Sequence, residues 1–489
     1  MEVLRLVFDR EEHPATTAVC ARVCRSWHNE AAARLWRGSV DQMSVWRTPP
    51  CEALVRLAAQ PKRFIHYIKH VQHLVLLWEE FAGAGVPGLF EPDLWIEFHA
   101  RSVTVDIGTA NMLEESMILL LSPQLRFLFL FGGLYQKEFV KTLADRAPQL
   151  RWVLLDNHED VGTRSLWEFL QKARHLEALE ITFGINHVLQ AVDVMALILD
   201  MNLLVLDLGA PQDMREHDIP VFPSVSDRTQ DFSISSVQVD AFGKLLALFP
   251  SVKRLNCSIS GDSIDFFKQI FCTLLSLKSV SDVSLTFKSW AIISFERLDI
   301  QAALHGKLKQ LEISVDLDEE EREQTHRAPT GTLATLTAAL PNLEVLLFDY
   351  PCDLHDTELR AIAINCPQLR ELSVAANVDL VHIFEGMPES GFQRLESVSF
   401  AASSFLDSGK SVSMDNTTAV VERVERLVRS RAPLLNSLHF TAGSEVVGYR
   451  FNTVLRSLNK KLAASARPRT TTVAKGFRQK LLESILDSG

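Results

Sequence analysis

Twelve times along this 489-residue chain the same six-position pattern returns: apolar, two variable residues, apolar, one variable residue, apolar. It starts at Val71, Leu125, Leu150, Leu176, Leu203, Val252, Val280, Leu308, Leu343, Leu369, Leu395 and Leu435, and most steps are 25 to 28 residues. Recurrence at a period of roughly 20–29 residues marks a solenoid of stacked repeats. A chain this long exceeds what one compact core usually supports, and a solenoid avoids that limit because each repeat packs only on its neighbours.

The segment Leu125-Arg-Phe-Leu128-Phe-Leu130 shows how one repeat works. Leu128 and Leu130 are two apart, so a strand points both to one face, and Leu125 enters from the preceding turn. Each buried leucine or valine contributes roughly 1.5–3 kcal/mol relative to exposure. One repeat cannot shield that face from water, but a stack can. Helical stretches such as Glu358 to Asn365 precede the strands, and Pro148, Pro250, Pro341, Pro367 and Pro433 fall between helix and strand. Proline has no amide to donate and stops the helix. The unit is helix, proline turn, short parallel strand. The expected fold is therefore an α/β leucine-rich-repeat solenoid, parallel strands on the concave face and helices on the convex face. A degenerate unit is expected at Ala100 to Val105. Insertions are expected at Glu79–Asp93, Gly209–Ser233, Asp316–Gly331 and Ala401–Ala419, all just after a strand and so projecting from one edge.

The run Asp353 to Val374, with Cys366-Pro367 inside it, resembles the cysteine-containing leucine-rich repeats common in F-box proteins. Residues 1 to 37 add to the likeness. Apolar residues at Val3, Leu4, Val7 and Phe8 make a helical stripe, a polar break follows at Asp9 to Pro14, and a second helical run covers Ala15 to Trp27. The block Val23-Cys24-Arg-Ser-Trp27 and the closing Leu35-Trp36-Arg37 come next. This order of blocks resembles the F-box, a small all-α helical module, and the chain resembles a fungal-like F-box protein with C-terminal leucine-rich repeats. The family's Leu-Pro pair before the glutamate has no counterpart ahead of Glu2, and the second helix is poor in leucine. The resemblance implies docking on a Skp-type adaptor, which links to a cullin scaffold carrying the RING subunit. Val3, Leu4, Val7, Phe8, Val23, Cys24, Trp27, Leu35 and Trp36 would supply the module's core and its adaptor surface.

In each strand the second and fourth positions after the leading apolar residue point away from the interior. Early in the chain these are apolar (Val75, Phe127, Phe129, Trp152, Leu154), and later polar or charged (Glu180, Asp207, Arg254, Asn256, Asp282, Glu312, Glu371). A contiguous exposed apolar patch marks an interaction site. Phe127, Phe129, Trp152 and Leu154 are thus the candidate anchors for a target protein, unless the N-terminal module or the Glu79–Asp93 loop covers them.

Other chemistry finds little support. A net charge of −11 argues against general nucleic-acid binding. The longest apolar runs, such as Met117 to Leu121, fall far short of the ~20 residues of a membrane span. Seven scattered cysteines and an N-terminus without signal-peptide character fit free thiols in a reducing cytoplasmic or nuclear setting. Gly83 to Gly88 matches a dinucleotide fingerprint, but Pro87 and the adjacent Glu79 and Glu80 suit neither helix nor phosphate. Gly409-Lys410-Ser411 lacks the glycine that a phosphate loop needs at Ser404. His66, His70 and His73 cannot share one helix, Cys20 and Cys24 lack nearby partners, and Cys352, His355 and Cys366 are too few for a closed zinc site. No metal, cofactor or catalytic constellation is expected.

The expected organisation is a module over 1–40, a helical linker and cap over 41–67, the solenoid over 68–450, and a basic tail over 451–489. In that tail Phe477, Leu481, Leu482 and Ile485 form an amphipathic helix. The resemblance implies a substrate-recognition subunit of a Skp–cullin–F-box ubiquitin ligase. It would be non-catalytic, binding the adaptor at one end and an unidentified target protein on the repeats, with no nucleic acid or membrane partner. The alternative is a repeat scaffold without ligase function, and an enzyme stands third.

Overall fold

The computed structural model describes residues 22, 25–37, 51–79, 99–111, 118, 120–134, 137–156, 162–182, 192–209, 215, 219–222, 224–260, 266–288, 307–316, 328–350, 352, 354–379, 384–385, 387, 391–404, 417–440 and 458–462. They fall into two compact units. The fold is an α/β leucine-rich-repeat solenoid: in each unit parallel strands pair in chain order, with helices between most of them.

The first unit opens with helices α1 (Arg25–Arg37), α2 (Cys51–Ala58) and α3 (Pro61–Ile68). Six strands follow: β1 (His73–Leu77), β2 (Ser102–Asn111), β3 (Phe127–Leu134), β4 (Trp152–Leu155), β5 (Ala178–Ile181) and β6 (Val205–Leu208). Between the later strands lie α4 (Lys137–Arg146), α5 (Thr163–Lys172) and α6 (Val192–Asp200). The register aligns Leu74, Val103, Leu128, Val153, Leu179 and Leu206 into one row, and Leu76, Val105, Leu130, Leu155, Ile181 and Leu208 into another. Every member of both rows is buried, because the period of two sends both rows to the helix side. Gly209 closes β6 with its Cα against the Thr182 carbonyl, where an added Cβ would stand 1.7 Å from the oxygen. Glycine is required there for close approach.

The second unit has eight strands: β7 (Asp231–Gln238), β8 (Arg254–Ser260), β9 (Asp282–Phe287), β10 (Gln310–Val315), β11 (Val345–Asp349), β12 (Glu371–Asp379), β13 (Ser397–Ser404) and β14 (Ser437–Phe440). Its helices are α7 (Val239–Ala247), α8 (Phe266–Ser276), α9 (Thr332–Ala338), α10 (Asp356–Asn365) and α11 (Thr417–Arg431). Interior rows again run in register, as in Leu255, Val283, Leu311, Leu346, Leu372, Val398 and Leu438.

The degenerate repeat expected at Ala100 to Val105 is present as β2. Two insertions need correcting. The segment Gly209–Ser233 ends inside a further strand, β7, whose repeat starts on Thr229 instead of an apolar residue. The Thr229 hydroxyl is buried and bonds the Leu203 carbonyl at 3.2 Å and the Ser226 hydroxyl at 2.8 Å, so a polar residue fills a core position without an orphaned group. Similarly, Ala401 to Ser404 continue β13, pairing with β12 after a register shift between Val374 and Asn377. The rest of these insertions (80–98, 210–214, 216–218, 317–327 and 405–416) lies outside the described residues, as does the tail beyond 462 with Phe477, Leu481, Leu482 and Ile485.

The prolines do more than stop helices. Leu150, Val252, Leu343, Leu369 and Leu435 each donate an amide to the carbonyl three residues earlier, across Pro148, Pro250, Pro341, Pro367 and Pro433. Proline thus stands second in a four-residue turn, the site its fixed φ suits. Ala147, Cys366 and Ala432 at the first turn position also take the last amide bond of the helix before it. In the cysteine-bearing repeat the Cys366 thiol is turned toward the Leu340 carbonyl at 3.3 Å and the Thr337 carbonyl at 3.8 Å, tying one repeat to the previous one. Burial pushes this thiol up to about 12, so it stays a protonated donor. Glu358 of α10 accepts the amide of Gly331, whose φ of +92° suits glycine at the start of α9.

Just before each strand a second column forms. The carbonyl of Arg101 accepts the amides of both Arg126 and Phe127, that of Arg126 those of Arg151 and Trp152, and that of Arg151 those of Glu177 and Ala178. Lys253, Ser281, Lys309, Glu344, Arg370 and Glu396 repeat the arrangement in the second unit. Beyond β14, Asn459 on the helical residues 458–462 accepts the Leu438 amide on its side-chain oxygen at 3.0 Å and donates its side-chain amide to the Leu438 carbonyl at 2.8 Å.

Candidate interaction surface

Alternation along β1 to β6 leaves two rows on the face opposite the helices. Register aligns His73, Ser102, Phe127, Trp152, Ala178 and Val205 in the first, and Val75, Thr104, Phe129, Leu154, Glu180 and Asp207 in the second. Side chains on neighbouring parallel strands stand about 4.8 Å apart, so large rings at aligned positions cover one another.

That packing corrects the expectation of a four-residue exposed patch. Phe127 is 0% and Trp152 4% exposed, and both belong to a closed cluster with Ala178 and Val205. Phe129 packs on this cluster, its ring edge-on to Trp152 at 5.8 Å and 80°. The Trp152 indole donates to Glu180 at 2.7 Å, which satisfies a carboxylate only 4% exposed. Phe127 and Trp152 therefore build and stiffen the face, while Phe129 and Leu154 remain half-buried on it. The alternation extends to Phe131, 40% exposed, next to Asp106. The six-position pattern ends at Leu130 and hid this residue. The Phe127-x-Phe129-x-Phe131 spacing was the available signal. Beyond them Asp156 accepts the Gly132 amide at 3.2 Å and the Thr182 hydroxyl at 2.7 Å, holding the ends of β3, β4 and β5 together. Phe129, Phe131 and Leu154 form an accessible apolar part of the wall.

On the second unit the corresponding positions carry polar groups that pair within the sheet. Arg254 bonds Asp231 at 2.7 Å, Asn256 bonds Ser233 at 3.4 Å, and Thr286 bonds Ser314 at 3.0 Å.

Of the nine module residues, Val3, Leu4, Val7, Phe8, Val23 and Cys24 lie outside the described residues. Trp27, Leu35 and Trp36 sit half-buried on α1. Trp36 stacks on Tyr67 of α3 at 5.1 Å and 24°, and the Tyr67 hydroxyl lies 3.4 Å from Nε2 of His28. The aromatic contact fixes α1 against the helix that leads into β1. His66 is on α3, His70 in the following turn and His73 at the start of β1. His66 instead stacks on His28 at 6.4 Å, and burial, then Lys69 and His28, hold its pKa below the usual value. Among the described residues no group of three or more His, Cys, Asp or Glu side chains could hold a metal ion. No described helix is long and apolar enough to cross a membrane.

No protein-family model matches the chain, and no curated protein does. Solved structures with similar backbones include the Rad7 and Elc1 complex in yeast (13% identity, TM-score 0.41, covering 80% of this chain and 92% of that one). The leucine-rich-repeat protein LIC12759 of Leptospira interrogans is similar at 11% identity and TM-score 0.35, covering 85% and 97%. A TLR13–ssRNA13 complex is similar at 12% identity and TM-score 0.34, covering 79% and 57%. At these TM-scores the fold assignment rests on strand order and register.

Proposed function

We infer that this chain is the substrate-recognition subunit of a Skp–cullin–F-box ubiquitin ligase. The N-terminal module takes a Skp-type adaptor, and the sheet face of the first unit takes a target protein. The observation that carries this reading is the Trp36–Tyr67 stack. It holds the last helix of the F-box-like block firmly on the cap of the repeat sheet, as a receptor needs if adaptor and target are to keep a fixed separation. The work is positioning, which raises the effective concentration of target lysines near a conjugating enzyme. The chain then needs no catalytic residue of its own and acts in the cytoplasm or nucleus.

Target capture in this reading falls to Phe129, Phe131 and Leu154, whose apolar surface stands on a rigid aromatic base. Aromatic anchors on rigid elements carry most of the affinity in such interfaces. Co-purification of the full chain with a Skp-type adaptor tests the ligase half, and failure to co-purify would leave a repeat scaffold without ligase function. Proteins that accumulate when the chain is removed identify the target.

A further inference from the structure

The column of residues just before the strands differs in charge pattern between the two units. In the second unit it neutralises itself: Lys309 pairs with Glu344 at 3.0 Å and Arg370 with Glu396 at 3.2 Å. In the first unit three arginines follow one another, Arg101, Arg126 and Arg151, in adjacent steps of the backbone ladder. Arg151 pairs with Glu177. Like charges side by side across strands oppose one another, and burial, then the flanking Arg101 and Arg151, lowers the pKa of Arg126. Next to the start of this stack is a cavity of about 250 Å³ lined by Lys69, His70, Gln72, His99, Arg101 and Gln124. Ala33 of α1 also lines it. Among the described residues the lining holds four basic side chains, two amides and no carboxylate.

We propose that this cavity binds a phosphate monoester, with Arg101 and Lys69 on the phosphate oxygens and Gln72, Gln124, His70 and His99 completing the shell. Several observations select phosphate over other anions. A phosphate ester carries about −1.5 to −2 charges and three strong acceptor oxygens, which suits several converging donors better than one carboxylate does. The planar guanidinium of Arg101 can grip two phosphate oxygens at once, while Lys69 acts as a point charge. The cavity lies below the roughly 300–1,000 Å³ of drug-sized sites, a size that suits one phosphorylated group. Arg126 lies one ladder step away and adds positive field without lining the cavity, while Arg151, two steps away, is neutralised by Glu177. The overall charge of −11 makes this concentration of cations in one place a local feature of the first unit. The phosphate could sit on a protein side chain or on a small metabolite, and the chemistry of the site is the same for both.

Isothermal titration calorimetry on the full chain tests the proposal, with glycerol phosphate as the small-molecule monoester probe and a short phosphoserine peptide as the protein-borne one. Sodium chloride at matched ionic strength is the blank. Saturable one-site binding is expected, weakened about tenfold or more by Arg101→Gln, the effect of losing a charge-assisted contact. The exposed Lys69→Gln should weaken it as well, which keeps the test valid should Arg101→Gln not fold. Lys253→Gln, in the second unit's column, should change nothing. Tighter binding of the peptide than of glycerol phosphate places the phosphate on a protein, and the reverse places it on a small molecule. Heat no greater than the chloride blank, or binding untouched by Lys69→Gln, overturns the proposal.

Discussion

The two units have the same interior and different exteriors. Behind both lie rows of leucine, valine, isoleucine and phenylalanine at nearly zero exposure. In front, β3 to β6 carry a closed aromatic cluster of Phe127, Trp152, Ala178 and Val205, whereas β7 to β10 carry pairs such as Arg254–Asp231 and Thr286–Ser314. The pre-strand columns diverge the same way, three arginines in a row against alternating Lys309, Glu344, Arg370 and Glu396. The interior is what a repeat needs in order to stack. The exterior is unconstrained by stacking, so the halves can diverge there without loss of fold.

The sharpest way to break this comparison is to truncate matching outward positions. Trp152→Ala should cost about 3–5 kcal/mol, as removal of a buried tryptophan does. Gln310→Ala, at the same strand position in the second unit, should stay within about 0.5 kcal/mol. Urea unfolding of both variants decides it, and equal losses would mean that the exteriors do not differ in kind. A gentler change, Trp152→Phe, keeps the ring packing and removes the donor to buried Glu180. It should cost about 1.5–3 kcal/mol by the same measurement, the value of a hydrogen bond to a charged group.

A pH test probes the contact between repeats in the second unit. The thiol of Cys366 is raised from 9.0 to about 12 in the fold. A raised pKa contributes stability that is complete below about pH 9 and is lost as pH climbs toward 12. By pH 10 the loss should be on the order of 1 kcal/mol relative to a Cys366→Ala variant, which lacks the group. Denaturant midpoints of the two proteins at pH 8 and pH 10 should converge, and parallel curves would contradict the assignment. The smallest effect belongs to the surface pair Lys309–Glu344. A double-mutant cycle should give about 0.2–1 kcal/mol and fade in 1 M salt.

Where sequence and structure agree, the reason is local. In Leu125-x-x-Leu128-x-Leu130 the spacing alone determines strand, face and burial, and the same holds for every repeat with an apolar leader. Thr229 shows the limit. Its hydroxyl is satisfied by Leu203 and Ser226 only once the chain has folded, so β7 looked like part of an insertion. Outward-facing identity was readable and outward exposure was not, because Phe127 is covered by residues such as Trp152, 25 positions away in sequence. The arginine stack is legible only after register is known, when the residue following each leader becomes a neighbour of its counterpart one repeat on.

A sheet built by adding one parallel strand after another has no intrinsic reason to stop. At β14 a single side chain, Asn459, occupies both hydrogen-bonding groups of Leu438 that another strand would use, standing in for the backbone of a further repeat. Among the described residues the sheet thus ends on a side-chain plug. Losing it through Asn459→Ala would turn the final strand into a landing place for a second molecule's backbone.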